Sequence, residues 1–283
     1  MEQLLESESR RYAKIRGQRP GTVLGRHADG RHIALQALDV PLDRAGAWNV
    51  QSGKLVWEPK NTVALAWMPN GDQVLAVTHR YEGSAKHPRD FLKVRQSEIG
   101  YELKRLTWPG LQPITSCSLS LDSGWFSSVA VSPAGDRAAI RWIEQDAAGF
   151  VIAEVGGLTD VQLAGVGYRT MPNNISEPVF SPNGGHVVIA CGRSAWWNQG
   201  DDPTQPSPGG TFEAGHIAVY EMDGGPACEE PIEVDVPEGW LPADIEDPRF
   251  ELLGDPRFAG PKTFTVLLPT AEERAFELGD VGR

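Results

Sequence analysis

Three stretches of this chain follow one plan, and that plan leaves few folds open. TVALAWMPNGDQVLAV (62–77), SSVAVSPAGDRAAIRW (127–142) and SEPVFSPNGGHVVIAC (176–191) each run an alternating apolar strand into Pro-x-Gly and out through a second apolar strand. Pro69, Pro133 and Pro182 preset φ at the first turn position. Gly71, Gly135 and Gly184 take the position that needs positive φ or a bulge. Two weaker copies flank the three. TVLGRHADGRHIALQA (22–37) keeps an Asp-Gly turn at Gly30, and DPRFAGPKTFTVLLPT (255–270) keeps a turn at Gly260 with the proline displaced behind it.

A second hairpin pattern alternates with the first. WNVQSGKLVWEP (48–59), FLKVRQSEIGYELKRL (91–106), FVIAEVGGLTDVQLAG (150–165) and HIAVYEMDGGPACEEPIEV (216–234) each hold an apolar strand, a polar glycine turn and another strand. Turn glycines are therefore expected at Gly30, Gly53, Gly71, Gly100, Gly135, Gly157, Gly184, Gly224 and Gly260, the two types interleaving, so the repeating unit is four strands. Such a unit cannot bury both faces alone and must stack on its neighbours, which predicts an all-β chain folded as a β-propeller. Trp48 is expected to be a buried anchor of the first unit. Five units are countable, and five blades are favoured, with six close behind and seven open. The best place for hidden extra structure is 114–131, whereas 192–212 has the Gly, Pro, Ser and Asp load of a long loop. Residues 1–20 read as a short charged helical arm and 21–283 as the propeller domain.

The residues also resemble a known family. Trp48, Asn49 and the turn Ser52-Gly53-Lys54 are similar to the WD…TGK portion of WD40 repeats, and the Ser-Pro-x-Gly turns resemble the first hairpin of WD40 and TolB-like blades, over roughly residues 21–270. Asn49 stands where those repeats usually have aspartate, and no Gly-His dipeptide begins a blade. The resemblance implies a fold and says little about a ligand. Separately, IEDPRF (245–250) and GDPRF (254–258) are similar to the Asp-Pro-Arg segments of five-bladed glycosidases and glycoside phosphorylases. That likeness implies the alternative function, a carbohydrate-active propeller enzyme using Asp247. Neither Asp247 nor Asp255 has a recognisable early carboxylate partner, and the structural reading is a Pro-led start to a last blade with Arg249 and Arg257 on its surface.

Composition narrows the function classes. Gly 31 and Pro 22 among 283 residues favour many short elements and turns. No run of 18 apolar residues and no leader-like apolar segment occurs, so no membrane span and a cytoplasmic location are expected. Cys117, Cys191 and Cys228, widely spaced and without CxxC, read as small apolar fillers. Residues 212–283 carry 17 acidic and 5 basic side chains, a net of −12 that equals the whole chain's. Such a surface repels phosphates and attracts a basic partner, so nucleic acid is an unlikely ligand and another protein the expected one. The opposite bias occurs in RRYAKIRGQR (10–19), with five basic residues and no acidic one; it reads as a solvated arm or a docking arm.

No nucleophile elbow, phosphate loop or dinucleotide fingerprint is present, and no catalytic residue or cofactor is expected. His27 and His32 flank the Asp29-Gly30 turn, but with no third ligand recognised beside them no metal is expected. The favoured function is a non-enzymatic scaffold, or a subunit of a larger complex, that presents loops to a protein partner. Adjacent Trp196 and Trp197 cannot both face a core from one strand, because consecutive side chains point to opposite faces. With Asp201 and Asp202 in the same loop they are the expected contact residues, joined by Arg10, Arg11 and Lys14 of the arm.

Overall fold

The computed structural model describes residues 2–16, 19–38, 44–58, 61–81, 99–119, 124–143, 148–158, 161–164, 176–192, 205–222, 228–241 and 253–281. They fall into two compact units, 1–144 with 150–164, and 145–149 with 165–283. The first opens with helix α1 (Glu2–Arg16), followed by three meanders of four strands. These are β1 (Arg19–Arg26), β2 (His32–Leu38), β3 (Arg44–Asn49) and β4 (Lys54–Trp57); β5 (Thr62–Trp67), β6 (Gln73–Tyr81), β7 (Ile99–Thr107) and β8 (Pro113–Leu119); and β9 (Trp125–Val131), β10 (Arg137–Ile143), β11 (Ala148–Glu154) and β12 (Val161–Ala164). The second unit holds β13 (Val179–Phe180), β14 (His186–Gly192), β15 (Pro208–Glu221) and β16 (Cys228–Glu238) in one sheet, and β17 (Arg257–Phe258), β18 (Thr263–Leu267) and β19 (Glu273–Glu277) in another. Every sheet orders its strands as they follow in the chain. No described helix is long and apolar enough to cross a membrane.

The repeated turn has one geometry in four copies. Gly30, Gly71, Gly135 and Gly184 have φ of 67°, 73°, 75° and 72°. Each donates its backbone N–H to the carbonyl three residues earlier, on His27, Met68, Ser132 and Ser181, at 2.8–3.0 Å. Among the described residues the sequence pattern misplaced one turn; Gly224 lies outside them. Gly100 lies inside β7, opposite Arg80 of β6, because the alternation that buries Tyr101 and Leu103 begins directly after it and the pairing with β6 runs unbroken from Ile99 to Thr107. The connection to β8 is instead the stretch Trp108–Gln112, where Leu111 has φ 55°. The segment 114–131 hides no further blade among the described residues: its first part is β8, the last strand of the second sheet, and its end is β9, the first strand of the third. Similarly, the expected loop over 192–212 already turns into β15 at Pro208.

Neighbouring sheets bury apolar faces against each other. Val63, Leu75 and Leu103 of the second sheet meet Phe126 and Ile140 of the third, with the Tyr101 and Phe126 rings edge to face at 5.0 Å. Ala34, Ala45 and Ala47 of the first sheet leave room for Trp67 and Leu65 of the second. Gln36, only 2% exposed, donates its amide to Ser127 O at 2.6 Å and Val63 O at 3.3 Å, satisfying a buried polar group while linking β2 to β5 and β9. In the second unit Val188, Ile217 and Val234 pack with Phe264 and Phe276.

The arm is neither free nor fully solvated. β2 alternates, so Ala34 and Gln36 face one way and Ile33 and Leu35 the other. That other face is covered by α1, whose Tyr12 and Ala13 pack with Ile33, Leu35 and Trp48. Glu8 accepts a short hydrogen bond from the Trp48 indole N–H. Helical spacing puts Glu8, Ser9, Tyr12 and Ala13 on the buried stripe and leaves Arg10, Arg11 and Lys14 on the outer one.

One buried group makes stability depend on pH. His79 on β6 is 8% exposed and its Nδ1 has no hydrogen-bond partner among the described residues. Burial first, and the positive charge of Arg44 second, push its pKa down to about 4. The folded protein therefore keeps this ring neutral, whereas the unfolded chain protonates it below about pH 6.5. The stabilisation is complete above that pH and is lost as pH falls toward 4, amounting to at most about 3 kcal/mol. Urea unfolding at pH 7.5 and 4.5 should show His79→Gln losing less stability on acidification than the wild type; equal losses would reject the assignment.

Candidate functional site

The residues expected to bind a partner divide sharply. Trp196, Trp197, Asp201 and Asp202 lie outside the described residues, as does Asp247. Asp255 is described and accepts the Glu177 backbone N–H at 2.9 Å, a tie between the start of the last sheet and the start of the fourth. Arg10, Arg11 and Lys14 are exposed on α1. Arg11 also serves the helix's own seat: its guanidinium lies 5.8 Å from the Trp48 ring centroid and 4.0 Å from Glu8.

Two histidines and an aspartate, expected from the sequence to hold no metal, come together at the β1–β2 turn. Across this hairpin His27 N–H donates to His32 O at 2.9 Å, so the two histidines stand opposite each other. Asp29 lies at the tip, its Oδ1 accepting the N–H groups of Arg31 and His32 at 2.7 and 3.1 Å, the usual way a turn aspartate caps its own loop. This aims the carboxylate back between the rings. Its oxygens lie 3.0 Å from His27 Nδ1 and 2.7 Å from His32 Nδ1. The third metal-ligating residue type not recognised in the sequence, a carboxylate beside the two imidazoles, is present in Asp29. The signal was H-x-D-x-x-H spanning a tight hairpin, a spacing that folds its first and last residues together.

Each imidazole is held from behind. His27 Nε2–H donates to Gly71 O at 2.6 Å, reaching the equivalent turn of the next sheet. His32 Nε2 lies 3.2 Å from Asn49 Nδ2, and Asn49 is oriented by Gln51 N–H, Ser52 N–H and the Ser52 hydroxyl, all donating to its Oδ1. Trp67 and Trp108 wall the site, His27 lying 4.9 Å from Trp67, His32 5.4 Å from Trp108, and the two indoles 4.6 Å apart. Desolvation pushes the Asp29 carboxyl up, but the hydrogen bonds from the Arg31 N–H and from the His32 ring and N–H outweigh it and hold the group well below the ordinary carboxylate range. The group is an anion held between two imidazoles.

A second surface carries the charge bias. On β16 the apolar Ile232, Val234 and Val236 point inward and Glu233 and Asp235 outward, with Glu229 also exposed. Glu233 stands directly opposite Glu213 of β15, also exposed, and Asp235 opposite Thr211, whose hydroxyl donates to its carboxylate.

No protein-family model matches this chain, and no curated protein sequence matches it. Solved structures resemble it in fold. Kuenenia stuttgartiensis hydrazine synthase matches with a TM-score of 0.50 at 11% identity, over 90% of this chain and 64% of that one. The Dos1 propeller matches with a TM-score of 0.47 at 8% identity, over 87% of this chain and 51% of that one. TolB from Acinetobacter baumannii matches with a TM-score of 0.39 at 13% identity, over 75% and 42%. The chain spans less than two thirds of the length of each. Four sheets of four consecutive antiparallel strands, followed by one of three, are the organisation of a β-propeller, and this chain has a β-propeller fold.

Proposed function

We propose that the chain is a non-enzymatic β-propeller that binds another protein, receiving a basic surface of that partner on the outer face of the β15–β16 hairpin. One observation carries the reading: Glu213 and Glu233 are exposed and directly opposite each other, with Asp235 in the same outward row. Like charges facing each other across a strand pair cost up to about 1 kcal/mol, a cost that a cationic partner removes on binding. β16 is the last strand of its sheet, and Pro231 and Pro237 leave gaps in its row of N–H donors. Recognition therefore works through side-chain charge rather than an added strand. In this reading Trp196 and Trp197, with Asp201 and Asp202, anchor the same partner from the connection that leads into β15. Arg10, Arg11 and Lys14 offer a separate basic face to acidic groups.

The test separates binding from folding. Glu213→Lys turns the repulsive pair into an attractive one, so the variant should be more stable by about 0.5–1 kcal/mol. Captured from the native source, then purified and titrated, the partner should bind this variant more weakly, and rising salt should weaken the wild-type complex. Partner affinity unchanged by both the substitution and salt would overturn the reading.

A further inference from the structure

We infer that the β1–β2 turn is a binding site for one divalent transition-metal ion, zinc foremost, held by His27 Nδ1, the Asp29 carboxylate and His32 Nδ1, with Asn49 controlling its affinity. The donor atoms of the three residues all lie within 4.8 Å of one another; Asp29 Oδ1 stands 3.0 Å from His27 Nδ1 and Oδ2 2.7 Å from His32 Nδ1, hydrogen-bond distances that need widen only to about 3.3 Å for the atoms to share one zinc ion. Two imidazole nitrogens and one carboxylate are a donor set for zinc or iron(II), whereas magnesium and calcium favour all-oxygen shells. Three protein ligands leave a coordination position for water or for a donor from a bound partner. The side chains are 9%, 33% and 17% exposed for His27, Asp29 and His32, so the ligands are held in place yet reachable.

The outer contacts show which ligands are ready. Gly71 O can only accept, so His27 carries its proton on Nε2 and keeps a lone pair on Nδ1, the tautomer of a metal-ligating histidine; that lone pair accepts the Asp29 backbone N–H at 3.1 Å, a contact the ion must displace. Asp29 already stands fixed by two backbone N–H groups. His32 is set the other way. Because Asn49 Oδ1 is taken by Gln51 and Ser52, its amide N–H donates to His32 Nε2, and the ring proton sits on Nδ1, pointing at Asp29 Oδ2. To coordinate an ion through Nδ1, His32 must pass that proton through solvent to its own Nε2, with no net proton released. The N–H so formed then faces the Asn49 amide donor. Asn49 is thus a brake on loading. An aspartate there would keep the Gln51 and Ser52 contacts and accept from Nε2–H.

The full chain should be titrated with Zn²⁺ by calorimetry and with Co²⁺ by visible absorption. The wild type should bind one ion with micromolar or tighter affinity, and Co²⁺ should give the ligand-field bands of a nitrogen and oxygen site. Asp29→Asn, which keeps an oxygen to cap the turn, should weaken binding by at least about tenfold, and His32→Gln should do the same or more. Asn49→Asp should tighten binding by about tenfold, a gain that a damaged fold would not produce. Failure of the wild type to take up Zn²⁺ or Co²⁺, or uptake indifferent to Asp29→Asn, would overturn the site. Weaker or unchanged binding in Asn49→Asp would overturn the role of Asn49. If His32→Gln does not fold, the other two variants decide.

Discussion

Alanine in place of Trp48 should lower the unfolding free energy by about 3–5 kcal/mol, the range for emptying a buried aromatic site. Trp48 is 0% exposed and the largest of the fully buried side chains. Its ring meets Tyr12 edge to face at 6.2 Å, and its N–H is the donor to Glu8, itself only 8% exposed. Truncation leaves a cavity under the helix and takes the hydrogen bond from a buried carboxylate, a further penalty. The helix loses its floor, so trypsin should cut at Arg10, Arg11 and Lys14 of the variant well before it cuts the wild type. A urea-derived loss below about 1 kcal/mol, ordinary for a surface change, with the helix still resistant, would show that Trp48 does not anchor α1.

The other large effect is expected at Gly215. It pairs with Gly192 of β14, next to a register shift between β15 and β16 at Glu213 and Gly215. A Cβ here would overlap the Cys191 carbonyl oxygen and stand 2.8 Å from Gly192 Cα. Both obstacles are backbone of a central strand, so neither can swing aside as a side chain could. The φ of 148° adds strain for any L side chain. Overpacking of about 1–3 kcal/mol and a similar conformational cost predict that Gly215→Ala destabilises the second unit by about 2–6 kcal/mol. Gly239, with φ 80° and nothing within 4 Å of an added Cβ, is the control: alanine there should cost only the conformational part. Equal effects at the two positions would show that close approach of β14 is not what selects glycine at 215.

These two residues mark where sequence reading succeeds and stops. Trp48 was legible as core because its signals are local: the alternation of Trp48, Asn49 and Val50, a glycine turn three residues after Val50, and a second tryptophan leaving the hairpin. The Pro-x-Gly turns were legible for the same reason, since proline and glycine constrain φ whatever surrounds them. Four-stranded meanders follow once such turns recur. Gly215 gave no such signal, because a glycine required by a neighbouring backbone looks like any other glycine. Gly100 misled in the opposite way, its neighbours' alternation outweighing the turn preference.

Contacts between distant residues were out of reach. Glu8 meets Trp48 across 40 positions, His27 meets Gly71 across 44, and Gln36 meets Ser127 across 91. Periodicity over ten or fifteen residues tells which face of a strand is apolar but not what covers it, and so could not show that α1 would seal the first sheet. The H-x-D-x-x-H spacing was visible, yet a turn aspartate that caps Arg31 and His32 looks the same in sequence as one that also aims its carboxylate at two imidazoles. The difference comes from ring orientation, set by the Gly71 carbonyl and the Asn49 amide, and these reach the site only when separate hairpins stack and turn back on themselves.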